Sequence, residues 1–176
     1  MHARHSPLPL IWLLSDARND AGLEDALHRL PAGSGFVFRH YHLPEQERRR
    51  RFEQLAGVAR EQGHRVALSR AEGWGEDYAY GSAPPVSGTA WLATVHDSAE
   101  MDRAIGAGAV GVFLSPVFPT RSHPDAQVLG VHGFSVLAQR SPIPVIALGG
   151  MTAERAAELD WPRWGAIDGL AGAQDA

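Results

Sequence analysis

Eight short apolar runs punctuate this chain, and most are separated by stretches of helical period. That alternation restricts the fold more than any other feature of the sequence. The runs cover residues 10–14, 36–41, 66–68, 78–80, 91–96, 110–114, 144–148 and 166–167. Each is too short for a helix, and near-continuous apolar character marks a strand buried on both faces, as in a parallel sheet covered by helices. Between the runs, Asn19 or Asp20 is placed to cap an amphipathic stretch carrying Leu23, Leu27 and Leu30. Pro44 opens a long helix that reaches about Gln62, with Gly63 as its stop. Asp97 with Glu100 three residues on makes a start like a capping box, residues 134–138 are helical, and Thr152 caps a last helix. Eight such repeats favour an α/β fold of the closed (β/α)8 TIM barrel type over an open doubly wound sheet, which stays as the alternative. At 176 residues the chain is short for a barrel, since barrels usually need about 200 residues or more. The expectation is therefore one compact barrel domain over residues 1–176, with outer helices shortened or missing after strands three, four and eight.

Composition removes several chemistries. There is no cysteine, and all 16 residues of the Lys+Arg count are arginine. Disulfides, thiolate metal sites, cysteine nucleophiles, lysine Schiff bases and a P-loop lysine are excluded. A net charge of −4 argues against a nucleic-acid partner. The apolar stretch at 8–14 is broken by Pro9 and is too short to cross a bilayer, and residues 1–7 do not resemble a signal peptide. A cytoplasmic protein without a membrane partner is expected. The run Arg48-Arg49-Arg50-Arg51 reads as a solvated helix face, with Glu45 four residues before Arg49 and Glu47 four before Arg51, rather than as an anion patch.

In a barrel, chemistry gathers where strands end and loops begin. One such end runs Ser115-Pro116-Val117-Phe118-Pro119-Thr120-Arg121-Ser122-His123. Its hydroxyls, guanidinium and imidazole suit an anion, although a proline-rich turn would also use Ser and Thr for local bonds. A second, Leu148-Gly149-Gly150-Met151-Thr152, leads two glycines into a capped helix at the place where barrels bind phosphate; a plain βα turn is the other reading. At a third, Arg39 and Tyr41 fall on one side of an apolar strand, so an inward guanidinium needs an anionic partner. Thr94 and His96 likewise share a side, and His96 is either functional or a hydrogen-bonded structural histidine.

On these residues the chain resembles the thiamine phosphate synthase family, including its tautomerase-like branch. The likeness is specific from Trp91 to Thr152. Thr94-Val95-His96 with Glu100 resembles the family's Ser-x-His…Glu segment. The 115–123 loop resembles its Gly-Pro-Val-Phe-x-Thr-x-Thr-Lys loop, and Pro144-Val145-Ile146-Ala147-Leu148-Gly149-Gly150-Met151 resembles its Pro-Val-x-Ala-x-Gly-Gly-Ile segment. More loosely, Leu13-Leu14-Ser15-Asp16 resembles the opening strand and Phe38-Arg39-His40-Tyr41 a Gln-Leu-Arg-x-Lys segment.

The resemblance implies a barrel transferase of thiamine biosynthesis. Such an enzyme joins a hydroxymethylpyrimidine diphosphate to a hydroxyethylthiazole phosphate, releasing diphosphate with magnesium help. It implies Thr94, His123 and Arg39 as catalytic residues. Arg39, Thr120, Arg121, Ser122 and His123 would hold the diphosphate, and the N–H groups of Gly149 and Gly150 the thiazole phosphate. Tyr41 and His123 stand where the family has lysines. Ser69-Arg70 replaces an Asn-Asp pair, Ser82-Ala83-Pro84 replaces Gln-x-Asp, and Pro116 takes the place of the tautomerase branch's histidine. Both acidic magnesium ligands are thereby replaced, no residue is expected to ligate a metal, and a diphosphate would lean on Arg39, Arg70, Arg121 and a protonated His123. The expected partners are phosphorylated thiazole and pyrimidine ligands. Three functions follow: the synthase, a non-catalytic or regulatory binder of phosphorylated ligands on the same scaffold, or another phosphate-handling barrel enzyme such as an isomerase. Whether the chain forms a homo-oligomer, with a partner covering residues 169–176, is left open.

Overall fold

The computed structural model describes residues 7–170. The six residues at each end, including most of the segment read for targeting, lie outside the described residues. Eight strands close into one parallel barrel in chain order: β1 Ile11–Leu14, β2 Gly35–Phe38, β3 Arg65–Ser69, β4 Tyr78–Gly81, β5 Trp91–Val95, β6 Gly111–Leu114, β7 Val145–Ala147 and β8 Trp164–Ala166. Closure is made by β1, which pairs with β2 on one side and β8 on the other. Five α-helices surround it: α1 Leu23–Arg29, α2 Glu45–Glu61, α3 Ser98–Gly106, α4 Gly130–Arg140 and α5 Ala153–Leu159. The closed barrel excludes the open sheet. Among the described residues no α-helix follows β3 or β4, and only a 3-10 turn, Asp168–Leu170, follows β8. None of the described helices is long and apolar enough to cross a membrane.

Period-two alternation sorts the strand residues into two sets. Trp12, Leu14, Val37, Ala67, Tyr80, Leu92, Phe113 and Ile146 meet inside the barrel. Trp12 spans that interior, with its ring 5.6 Å from Phe113 and 6.0 Å from Tyr78. Gly35 makes room for it, because a Cβ there would lie 2.2 Å from the indole. The alternate residues face outward onto α1 and α2 on one side and onto α3, α4 and α5 on the other. On β4 only Ala79 and Gly81 alternate outward, so there is little apolar surface for a helix to cover. The Trp91 indole packs there, donating to the Gly81 carbonyl at 3.0 Å. A cavity of about 400 Å³ lies beside it, between the β4–β5 connection and α3.

Three local expectations are corrected. The second strand ends at Phe38, not Tyr41, because His40 takes a positive φ of 44° and turns the chain out of extended geometry. The first cap is Asp16 rather than Asn19 or Asp20. Its side chain accepts from the Arg18 N–H, and Asn19 accepts in return from the Asp16 N–H at 2.8 Å, opening a 3-10 turn over Ala17–Gly22 before α1. Asp97 caps α3 as expected, but Glu100 reaches past it to the backbone and ring of His96, at 2.7 and 2.9 Å.

The arginine run also divides. Arg49 pairs with Glu53 at 3.5 Å on the solvent side. Arg48 and Arg51, three residues apart and so on one face, turn inward. Arg51 binds Asp20 at 2.8 Å and Glu24, tying α2 to α1. Arg48, only 8% exposed, donates to the Arg39 carbonyl at 2.7 Å and to the Ser69 carbonyl, tying α2 to the ends of β2 and β3.

Candidate active site at the barrel mouth

The C-terminal ends of the strands form a polar rim. Arg39 follows Val37, an interior residue, by two positions and carries its guanidinium to the end of β1. There it donates to the Ser15 carbonyl at 2.9 Å and to the Asp16 carboxylate at 2.9 Å. The anionic partner that an inward arginine needs is therefore Asp16. Tyr41 donates to or accepts from the Ser69 hydroxyl at 2.6 Å, and the Arg70 guanidinium lies 4.0 Å from the centre of its ring. Arg70 has a φ of 55°, a left-handed conformation that costs a residue bearing a Cβ about 1–2 kcal/mol.

Beneath this rim runs a buried array that sequence reasoning missed. The Arg39 N–H donates to Ser15 Oγ at 2.7 Å, and Ser15 Oγ lies 2.8 Å from His40 Nδ1. His40 Nε2 lies 2.7 Å from Asp20 Oδ1, which also accepts from Arg51. Burial is the largest influence on His40 and holds its pKa below the ordinary value, against the pull of Asp20. The neutral ring thus accepts from the serine hydroxyl and donates to the carboxylate. Burial works to raise the Asp20 pKa, but its bonds to His40 and Arg51 outweigh that and bring it down. The order Ser15–His40–Asp20 resembles a nucleophilic triad, yet Ser15 and His40 are 0% exposed. Ser15 is closed to a substrate, and the array instead fixes the backbone that carries Arg39.

The β6 loop crosses the mouth. Arg18, in the turn after β1, donates to Ser122 at 3.0 Å and to Asp168 at 2.8 Å, joining the loops after β1, β6 and β8. Its guanidinium also lies 3.8 Å from Asp16, the partner of Arg39. The β6 and β7 loops lock together through Val117 N–H to the Leu148 carbonyl at 3.0 Å and Phe118 N–H to the Gly149 carbonyl at 3.1 Å. This contact explains the glycine pair. A Cβ on Gly149 would lie 2.7 Å from Pro116 Cα, one on Gly150 2.4 Å from the Pro119 carbonyl, and both have positive φ. Among the described residues no acceptor takes the N–H of either glycine.

Of the residues singled out from sequence, Arg39, Ser122, Gly149 and Gly150 are thus linked around one opening. Thr120 supports the loop, accepting from the Ser122 N–H at 3.3 Å, while Arg121 and His123 are exposed. Thr94 follows the interior Leu92 by two positions and borders the 400 Å³ cavity. Among the described residues no hydrogen bond or ion pair joins it to Arg39. His96 turns outward to Glu100. Arg18 and Asp168 were not foreseen, since nothing local in the sequence announces a bond between residues 150 positions apart.

Magnesium is implied by the resemblance but does not fit these residues. Its carboxylate positions hold Ser69-Arg70 and Ser82-Ala83-Pro84, and Asp16 is engaged by Arg39 and lies beside Arg18. Magnesium is usually held by one or two carboxylates together with substrate phosphates, and at these positions the chain offers none.

Fold and rim together define a compact (β/α)8 barrel protein whose arginine-bearing mouth is bordered by a paired-glycine loop. Residues 87–166, just under half of the chain, match the sequence model of the family described as thiamine monophosphate synthase. A thiamine-phosphate synthase of Bacillus velezensis is 37% identical over 70 residues, 38% of this chain and 30% of that protein. One of Pyrococcus furiosus is 34% identical over 67 residues, 38% of this chain and 32% of that protein. The match thus spans about a third of the curated relatives' length. In fold the likeness is wider: a solved thiamine phosphate pyrophosphorylase from Pyrococcus furiosus superposes with a TM-score of 0.78 at 21% identity, over 96% of this chain and 89% of that one.

Proposed function

We propose that the chain binds a phosphorylated small molecule of the thiamine phosphate synthase type at its barrel mouth. In this reading Arg39 and the Thr120–His123 segment face a diphosphate, and the Gly149 and Gly150 N–H groups face a monophosphate. Charge-assisted bonds from a fixed guanidinium and unpaired backbone donors are what such a guest requires. The observation that carries the reading is the linkage of Arg39, Asp16, Arg18 and Ser122 across one opening, with the glycine pair packed against the same β6 loop.

A second reading, coupling of the pyrimidine diphosphate to the thiazole phosphate, is favoured by Thr94. It follows the interior Leu92 by two positions at the C-terminal end of β5, where barrel chemistry gathers. In that reaction the arginines would stabilise the departing diphosphate and the rim would hold the two guests in line. Calorimetry with inorganic pyrophosphate and with hydroxyethylthiazole phosphate tests binding, and heat is expected from both. Silence from both removes the assignment. Turnover of the paired substrates, followed by diphosphate release, separates the coupling enzyme from the binder.

A further inference from the structure

Three arginines surround the ring of Tyr41. Arg70 lies 4.0 Å from its centre, Arg39 5.7 Å and Arg48 5.9 Å. The ring is pinned through its hydroxyl to Ser69 at 2.6 Å, and Arg48 is held from behind by the Arg39 and Ser69 carbonyls. Arg39 is paired with Asp16. Arg70 is exposed, makes no ion pair among the described residues, and is set over the ring by its left-handed backbone. A flexible side chain is thereby pre-positioned at the mouth, which lowers the ordering cost of meeting a ligand.

We infer that Arg70, stacked on Tyr41, supplies the charge that a divalent cation would otherwise bring, so that this mouth takes a diphosphate group without metal. The inference rests on the proposed binding function and adds its ion requirement. The charge arithmetic supports it. Two carboxylates with one magnesium ion sum to zero, whereas Arg70 with the neutral Ser82-Ala83-Pro84 segment carries one positive charge. A guanidinium at this point attracts a diphosphate and repels a free divalent cation. Its planar fork also matches phosphate oxygens, a geometry that the stack on Tyr41 preserves.

Calorimetry of the full chain with sodium pyrophosphate, in EDTA and separately in magnesium, is the test. Binding in EDTA is expected, and magnesium should leave it equal or weaker because the ion complexes pyrophosphate in solution. Arg70→Ala removes an exposed side chain with no hydrogen bond among the described residues, so it should fold, and it should weaken binding in EDTA by about tenfold or more. Wild-type binding only in magnesium, or an unchanged affinity in Arg70→Ala, overturns the inference while leaving the binding function standing. No heat in either buffer overturns the binding function and this inference with it.

Discussion

Replacing His40 by Asn gives a protein whose deficit relative to wild type depends on pH in a defined window. Asn tolerates the left-handed backbone at this position. The change removes the acceptor for the Ser15 hydroxyl, one donor to Asp20, and a ring stacked on Phe38 at 4.6 Å. These contribute about 1 kcal/mol for the neutral bond, about 1.5 for the charge-assisted one, and about 1 for the stacked pair. Near pH 8 the variant should be less stable by about 3–4 kcal/mol. Below pH 6.5 the wild type loses ground. Its folded state holds the His40 pKa below the ordinary 6.5, chiefly by burial, so the unfolded chain binds the proton more readily. Stability then falls by at most about 1.4 kcal/mol per pH unit until the lowered folded pKa is passed. Asp20 and Glu24 have pKa values held below 3.8 and 4.5. Their contribution is present above those ordinary values and is lost only as pH falls through the lowered ones. Histidines common to both proteins cancel in the difference. Urea denaturation followed by circular dichroism at about pH 8 and about pH 5 should therefore show the gap narrowing, by up to about 2 kcal/mol. A gap that is constant or wider at the lower pH refutes the neutral, doubly bonded imidazole.

Arg39→Ala should weaken pyrophosphate binding about 10- to 100-fold, the equivalent of about 1.5–3 kcal/mol for charge-assisted bonds, and calorimetry on the folded variant checks it. Gly150→Ala places a Cβ 2.4 Å from the Pro119 carbonyl at a φ of 62°. It should destabilise by about 1–3 kcal/mol and lower affinity for a phosphate monoester; an unchanged urea midpoint argues against the locked loops. Arg48→Met leaves the Arg39 and Ser69 carbonyls without their buried donor. A loss of about 2–4 kcal/mol is expected in urea unfolding, with little loss if water replaces the guanidinium.

Much of the barrel was legible because its signals are local. Leu92 and Phe113 sit in runs apolar on both faces, and Thr152 and Gly63 carry their helix-ending chemistry on the residue itself. The missing outer helices could be counted from chain length, and the outward Ala79 and Gly81 show why β4 tolerates the loss. The motif at 115–123 and the glycine pair were visible as loop chemistry at strand ends. The arginine run was misread because i,i+4 spacing suggests pairs within a helix, whereas Arg51 finds Asp20 and Glu24 on α1 and Arg48 finds two carbonyls.

What the sequence determined by itself is the succession of strands and helices, the absence of thiol and amine chemistry, and arginine as the cation at the strand ends. These follow from side-chain identity and spacing along the chain. Only the closed barrel decided who meets whom. It set Arg18 between Ser122 and Asp168, Arg39 against Asp16, and Arg70 over Tyr41. The reason is geometric: closing eight strands brings their loop ends onto a single ring, where proximity depends on position around the cylinder and not on separation in sequence.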